Sequence, residues 1–372
     1  MKREYIMEFK SFGFIGLGLI GGSIAKAIRK VSPDSYILAY GPHPEKFEDG
    51  VRDGIINEIT TEIGEAFHKC DMIFLCAPVS TNNDNLAKLK PFLSKDTILT
   101  DVGSVKTPIY DAVKALGLEK QFIGGHPMAG SEKTGFANAN PLILENAYYI
   151  LAPTTEVSKD AVTAYQNLVA AFGSIPLILD CKEHDYVTAA VSHVPHVIAA
   201  SLVNLVRDHD TKEGTMKQVA AGGFKDITRI ASSSPAMWEP ICLSNAENIA
   251  DLLDDYIASL KEISAEIRAE KEGYTYKLFE ESKEYRDSFA TQPRGPIKKV
   301  YGCYVDIPDE TGTIATIALI LANKKISIKN IGIVHNREFE EGVLHVEFYD
   351  QKSLEDAITL LRSLLYTVHE RK

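Results

Sequence analysis

The stretch GFIGLGLIGGSIA, residues 13 to 25, constrains the chain more than any other. Gly16, Gly18 and Gly21 form a G-x-G-x-x-G pattern between an apolar run that reads as a strand and an amphipathic run, SIAKAIRK, that reads as a helix. Each glycine has its own reason to be there. The first permits a tight turn, the second lets a pyrophosphate approach the backbone, and the third lets helix and strand pack closely. The helix amino terminus then presents N–H groups and a positive dipole end to phosphate charge. A glycine-rich turn without a ligand is the ordinary alternative, but strand-like runs continue downstream as YILAY, MIFLCAP, TILTDV, QFIGG and YYILAP, with helical patterns between them.

Strands alternating with helices indicate a parallel sheet covered on both faces. Residues 1–180 are therefore read as an α/β Rossmann-like dinucleotide-binding domain, completed by a helix and strand near 157 to 179. Cofactor-binding candidates are Gly16, Gly18, Leu19, Ile20 and Gly21 in the first turn, and Ala77, Pro78 and Val79 after MIFLCAP. The second strand should end in an acid that holds the adenine ribose, yet Gly41 stands there, followed by His43 and Lys46. His43 or Lys46 could accommodate a 2′-phosphate, but no arginine follows the strand, so NAD is favoured over NADP.

From residue 181 to 290 the strand signals vanish. The run from His184 to Val206 is apolar on almost every side, with Val187, Val191, Val194, Val197, Ile198, Leu202 and Leu205. An all-α segment of this size buries such a helix by pairing with a second copy, so a homodimer is expected. Residues 291–298 read as a linker, with two prolines and a glycine in ATQPRGPIKK. Beyond it, 299–372 give the order strand, helix, strand, strand, helix, strand, which is the small α+β ferredoxin-like plan. The net charge of −11 argues against nucleic acid, whose phosphates are bound by clustered Lys and Arg. Cys70, Cys76, Cys181, Cys242 and Cys303 are odd in number and form no CxxC pair, as reduced core residues would. The start, MKREYIMEFK, lacks a secretion signal, and no run approaches roughly 18 uninterrupted apolar residues. A cytoplasmic protein with no membrane partner is expected.

Four motifs carry chemistry. In GGHPMAGSEKTG, residues 124 to 135, glycines and Pro127 disfavour helix and strand, so His126 is expected on irregular backbone. TDVGSVK sets Ser104 at the carboxyl edge of the sheet, as a ligand contact or a helix cap. VSHVPH puts His193 and His196 on one side of the apolar helix, with Pro195 expected to kink it between them. A third metal ligand at suitable spacing is lacking, so no metal is assigned and a substrate role for His193 is preferred. In GGFKDITRIASSSPAMWEP, Lys225, Asp226 and Arg229 gather on one turn. A solvated charged face is the ordinary reading, but Arg229 is expected to be partly buried and to hold a carboxylate.

Together, in this order, GLGLIGGSIA, TDVGSVK, GGHPMAGSEKTG, EHDYVTAAVSHVPH and GGFKDITRIASSSPAMW resemble the prephenate dehydrogenases over essentially the whole chain. The last 75 or so residues, with DIPDETG and ISIKNIGIV, resemble an ACT regulatory domain. The resemblance implies oxidative decarboxylation of prephenate to 4-hydroxyphenylpyruvate with hydride transfer to NAD, in L-tyrosine biosynthesis. It implies His126 and Ser104 as catalytic residues, the former as a neutral imidazole near its usual pKa of about 6.5. Ser104, Ser131, Glu132, His193, Lys225, Arg229 and Trp238 become substrate contacts, Lys225 and Trp238 near the dimer partner. The tail implies feedback by L-tyrosine, with Asp309, Gly312, Asn330 and Ile331 as regulatory candidates. Arogenate dehydrogenase is the nearer rival reading, and a non-catalytic sensor of dinucleotide and amino acid the more distant one.

Overall fold

The computed structural model describes residues 9–130, 133–291, 301–308, 310, 312–334 and 342–370. Ser131, Glu132, Asp309 and residues 292–300, which hold most of the expected linker, lie outside that description. The chain divides into two compact units, Met1–Glu281 and Ser282–Lys372.

The first unit opens with β1 (Ser11–Ile15), α1 (Leu19–Val31), β2 (Tyr36–Tyr40), α2 (Glu48–Arg52), β3 (Glu58–Thr60), β4 (Met72–Leu75), α3 (Val79–Leu89), β5 (Ile98–Asp101) and α4 (Thr107–Leu116). The five strands form a parallel sheet in the order β3-β2-β1-β4-β5. Alternate residues serve opposite faces: Phe12 and Phe14 join the core beneath α1, while Ile15 joins the one beneath α3 and α4. Phe14 stacks on Phe74 of β4 at 4.9 Å between ring centroids. The chain leaves β1 and β4 to opposite sides of the sheet, so the crevice for a ligand lies at the carboxyl ends of those two strands.

QFIGG and YYILAP do not extend this parallel sheet, contrary to expectation. β6 (Ile123–Pro127), β7 (Tyr148–Pro153) and, after α5 (Lys159–Ala171), β8 (Ile175–Ile178) form a separate three-stranded sheet. β6 and β7 pair antiparallel, and β5 meets this sheet through a single backbone bridge, Leu99 to Phe122, among the described residues, and through the Asp101 side chain. Parallel pairing needs a crossover, usually an α-helix, and the connection from β6 to β7 carries only short 3-10 turns among its described residues. His126 is therefore a strand residue, paired with Ile150, and not a loop residue.

Helices follow: α6 (Cys181–Thr188), a π-turn (Ala189–His193), α7 (Val194–His209), α8 (Thr215–Val219), α9 (Gly222–Thr228), α10 (Pro235–Ser244), α11 (Ala246–Arg268) and α12 (Tyr274–Thr291). Pro195 occupies the first turn of α7, where a missing N–H costs little, and the irregularity falls in the π-turn just before it. The run from Cys181 to His209 is long and apolar enough to cross a membrane by length and composition alone. One side of it packs through Ala189 and Val194 on Ile249 of α11. Elsewhere Val191 is 64% exposed, Leu205 is also exposed, and Leu243 of α10 is 73% exposed.

In the second unit β9 (Tyr301–Ile307), α13 (Thr313–Asn323), β10 (Ile328–Val334), β11 (Gly342–Phe348), α14 (Gln351–Ser363) and β12 (Val368–Glu370) form an antiparallel sheet in the order β10-β11-β9-β12. Cys303, Val305 and Ile307 alternate inward to meet Ile317 and Leu321 of α13 and Leu361 of α14.

Candidate active site

The glycine turn has the geometry that a dinucleotide needs. Gly16 has φ +85°, and a side chain there would collide with the backbone of Ala77. A Cβ on Gly21 would lie 2.9 Å from the Gly16 carbonyl. A Cβ on Gly18 would meet no protein atom within 4 Å, so its absence keeps the backbone open to an outside group. No side chain caps α1, which leaves the N–H groups of Leu19, Ile20 and Gly21 in its first turn for a phosphate. Across the crevice Pro78 precedes α3, which Val79 opens, and Asn82 holds that turn by donating to the carbonyls of Leu75 and Ala77. Gly41 is explained by packing: a Cβ there would lie 2.6 Å from the ring of Phe47. The acid usual at this position is excluded by that ring.

Strand β6 brings His126 to the carboxyl edge of the sheet because the residues before it are glycine. A Cβ on Gly125 would meet the Asp101 carbonyl at 2.6 Å, and one on Gly124 would press on Lys106 at 2.9 Å. The glycines therefore permit close strand packing, where the sequence suggested a loop. His126 is partly buried, and its Nδ1 lies 2.9 Å from Nε2 of His184. Nδ1 of His184 lies 2.8 Å from Oδ1 of Asp185. The Asp185 carboxylate also accepts from the backbone N–H of Lys106 at 2.7 Å and of Thr107 at 2.8 Å, and from the Thr107 hydroxyl at 2.6 Å. It thereby caps α4, and Ser104 does not; Ser104 lies in the half-buried loop before that helix.

This chain fixes the protons. Burial pushes the Asp185 carboxyl up, but the hydrogen bonds from His184, Thr107 and the two backbone groups outweigh it and hold it below the usual range. Burial pulls His184 below its ordinary value, so it is neutral at pH 7 and donates from Nδ1 to Asp185. Nε2 of His184 is then an acceptor, and His126 donates to it from Nδ1. Nε2 of His126 is left with a free lone pair. His126 does not keep the expected value near 6.5: burial, then His184, Lys106 and His193, push it well below.

A second cluster surrounds His193, which is 1% exposed. Asn245 Nδ2 donates to the Asp185 carbonyl at 2.7 Å and lies 3.2 Å from Nδ1 of His193. Nδ1 accepts, so the proton sits on Nε2, a buried atom without a hydrogen-bond partner among the described residues. Burial lowers this histidine to about 4. Trp238 lies against it at 6.0 Å between ring centroids, stacks on His196 at 3.8 Å, and also has a buried Nε1 without a partner. Two buried donors beside each other call for acceptor atoms. Arg229 departs from expectation: it is exposed, at the start of a 3-10 turn (Arg229–Ser232) beyond α9, and Lys225 is exposed too. The helix ends at Thr228, whose side chain turns inward while Arg229 stays outside.

The sequence reading missed His184 and Asp185 as a pair, although EHD opens a motif it singled out, and it missed Asn245. Comparison with known proteins agrees with the geometry. Residues 24–175 match the family described as prephenate dehydrogenase, nucleotide-binding domain, and residues 180–281 the prephenate dehydrogenase dimerization domain. A prephenate dehydrogenase of Bacillus subtilis is 38% identical over 92% of this chain and 94% of its own length. One from Lactococcus lactis is 36% identical over 94% and 96%. The crystal structure of the prephenate dehydrogenase from A. aeolicus, in complex with hydroxyphenyl propionate and NAD+, superposes with a TM-score of 0.71 at 35% identity, over 76% of this chain and 99% of that one. With its glycine turn, its buried histidine pairs and these matches over most of its length, the chain belongs to the prephenate dehydrogenase family.

Proposed function

We propose that the chain catalyses the NAD-dependent oxidative decarboxylation of prephenate to 4-hydroxyphenylpyruvate, as a cytoplasmic enzyme of L-tyrosine biosynthesis. The observation that carries this reading is the Asp185–His184–His126 chain, which leaves an unprotonated imidazole nitrogen one residue from the Gly125 N–H that bonds Asp101, at the carboxyl end of β5 in the nucleotide-binding sheet. Bound at the Gly16–Gly21 turn, NAD+ supplies the hydride acceptor. His126 Nε2 accepts the proton of the ring alcohol as that carbon is oxidised. Ser104 meets the same hydroxyl from the loop before α4. Arg229 grips a substrate carboxylate, and Nε2–H of His193 and Nε1–H of Trp238 meet further oxygen atoms. The ring carboxylate leaves as carbon dioxide because the product is aromatic, so the step needs neither a metal nor a covalent adduct. Ser131 and Glu132, two residues outside those described, are assigned to the polar end of the substrate by family resemblance, and Lys225 to a shell near the partner.

Rates with prephenate and arogenate, each with NAD and NADP, test the reading. Prephenate with NAD is expected to give the fastest rise in NADH absorbance. Faster turnover of arogenate would move the assignment to arogenate dehydrogenase, and no reduction with either substrate would leave a binding protein.

Two further assignments belong to this proposal. The exposed Val191, Leu205 and Leu243 are covered by a second copy, so sedimentation should report a dimer, and a stable active monomer would refute the pairing. The second unit is read as an ACT domain sensing L-tyrosine. Gly312, at φ +95° before α13, and Asn330 and Ile331 on β10 are its described ligand candidates; Asp309 lies outside the described residues. Inhibition by tyrosine should disappear when residues 300–372 are deleted. The A. aeolicus chain is matched over 99% of its length by 76% of this one, which supports a core that folds without the tail. Inhibition that persists in the truncated chain would locate the sensor elsewhere.

A further inference from the structure

Lys106 and Asp101 form an ion pair whose side chains are 0% and 3% exposed, inside TDVGSVK. A buried pair of this kind adds little stability over apolar residues of similar size, so its location is what calls for a reason. The Asp101 carboxylate accepts from Gly103 N–H at 2.9 Å and from Gly125 N–H at 3.2 Å. Gly103 immediately precedes Ser104, and Gly125 immediately precedes His126. One carboxylate thus ties together the two backbone segments that carry the proposed catalytic residues. Lys106 also reaches the other acid, since its backbone N–H donates to Asp185. The methylene stem of Lys106 lies where a Cβ on Gly124 would intrude, so the glycines of β6 and this lysine are fitted to one another.

We propose that Asp101 and Lys106 are positioning residues for the reaction: the carboxylate sets Ser104 and His126 in register, and the ammonium it holds places a fixed positive charge beside β6. The inference rests on the role given to His126 above. The charged and titratable groups around that imidazole are His184, which contacts it, Asp185 behind His184 on α6, and Lys106 and His193, which act on it through space; Asp101, the last residue of β5, accepts from the N–H of Gly125 beside it, and the Tyr165 hydroxyl of α5 faces Gly125. Lys106 is among the groups that lower His126, behind burial and His184.

The test is the acid limb of the kcat/KM pH profile, which reports the base in the free enzyme. Lys106→Met removes a cation and should move the limb up by about one pH unit, while Asp101→Asn leaves the cation uncompensated and should move it down. A merely structural pair would lower rates in both variants without opposite shifts. Both single variants leave a buried charge unpaired, so the double variant Asp101→Asn, Lys106→Gln, which keeps hydrogen bonding and carries no charge, is measured as well. Its limb should rise, by less than that of Lys106→Met, with a lower kcat at nearly unchanged KM. A double variant whose limb coincides with the parent, or that does not fold, assigns the pair to stability alone and overturns the proposal. His126→Asn is assayed alongside: if it abolishes turnover while the pair variants leave the limb in place, only this inference fails, and if it leaves turnover intact the underlying reading of His126 fails.

Discussion

His126→Asn is expected to bind prephenate nearly as the parent does while kcat falls about 100-fold to 10,000-fold, the usual range for losing a positioned base. The effect should fall on kcat because the role proposed for His126, taking a proton as the alcohol is oxidised, belongs to the transition state. The pH profile gives a second reading. With His126 held well below 6.5 by burial and its neighbours, the base stays unprotonated as pH falls through 6.5, and the acid limb of the parent should lie below that value. Arg229→Ala should do the opposite to the kinetic constants, raising KM about 10-fold or more with a smaller change in kcat, since a charged hydrogen bond contributes about 1.5–3 kcal/mol in ground state and transition state alike. Small and equal effects from the two substitutions would remove both roles.

Local physics made part of this legible. The glycine turn is a contiguous pattern in which each residue answers to its own backbone or to a neighbour a few angstroms away, and Gly16 and Gly21 meet the obstacles that the pattern predicts. The inward alternation of Cys303, Val305 and Ile307 likewise reads directly as a strand over a core. His126 was misread because glycine has two uses. The run GGHP looks like a loop when glycine is taken for flexibility, but here Gly124 and Gly125 give room to Lys106 and Asp101. His184 and Asp185 escaped because their partners are remote: His126 lies 58 residues from His184, and Thr107 lies 78 from Asp185. A histidine beside an acid near the start of a helix carries no mark of function until the strand it faces is known. The expected partial burial of Arg229 was misjudged for a related reason: α9 ends one residue before it, and that stop is not marked in the sequence.

Asp185→Asn is expected to lower kcat by about 100-fold or more, although Asp185 is buried, because in the proposed mechanism it acts through His184. The carboxylate receives four donors: the His184 ring, two backbone N–H groups and the Thr107 hydroxyl. An amide has only one oxygen for them. If its nitrogen turns toward His184, that ring must accept at Nδ1 and donate from Nε2, so His126 becomes an acceptor at Nδ1 and carries its proton on Nε2, where the substrate needs a lone pair. If the nitrogen turns toward Thr107, the tautomers survive, but the cap of α4 opens, at a cost of about 1 kcal/mol. Both orientations lose the negative charge that stabilises the imidazolium as His126 takes the proton, so turnover falls in either case. Nitrogen chemical shifts of the His126 ring separate them, the first giving the Nε2–H form and the second the parent tautomer, with a lower melting temperature in both. A variant that retains more than a tenth of parental kcat would show that the proton on His126 is set without Asp185.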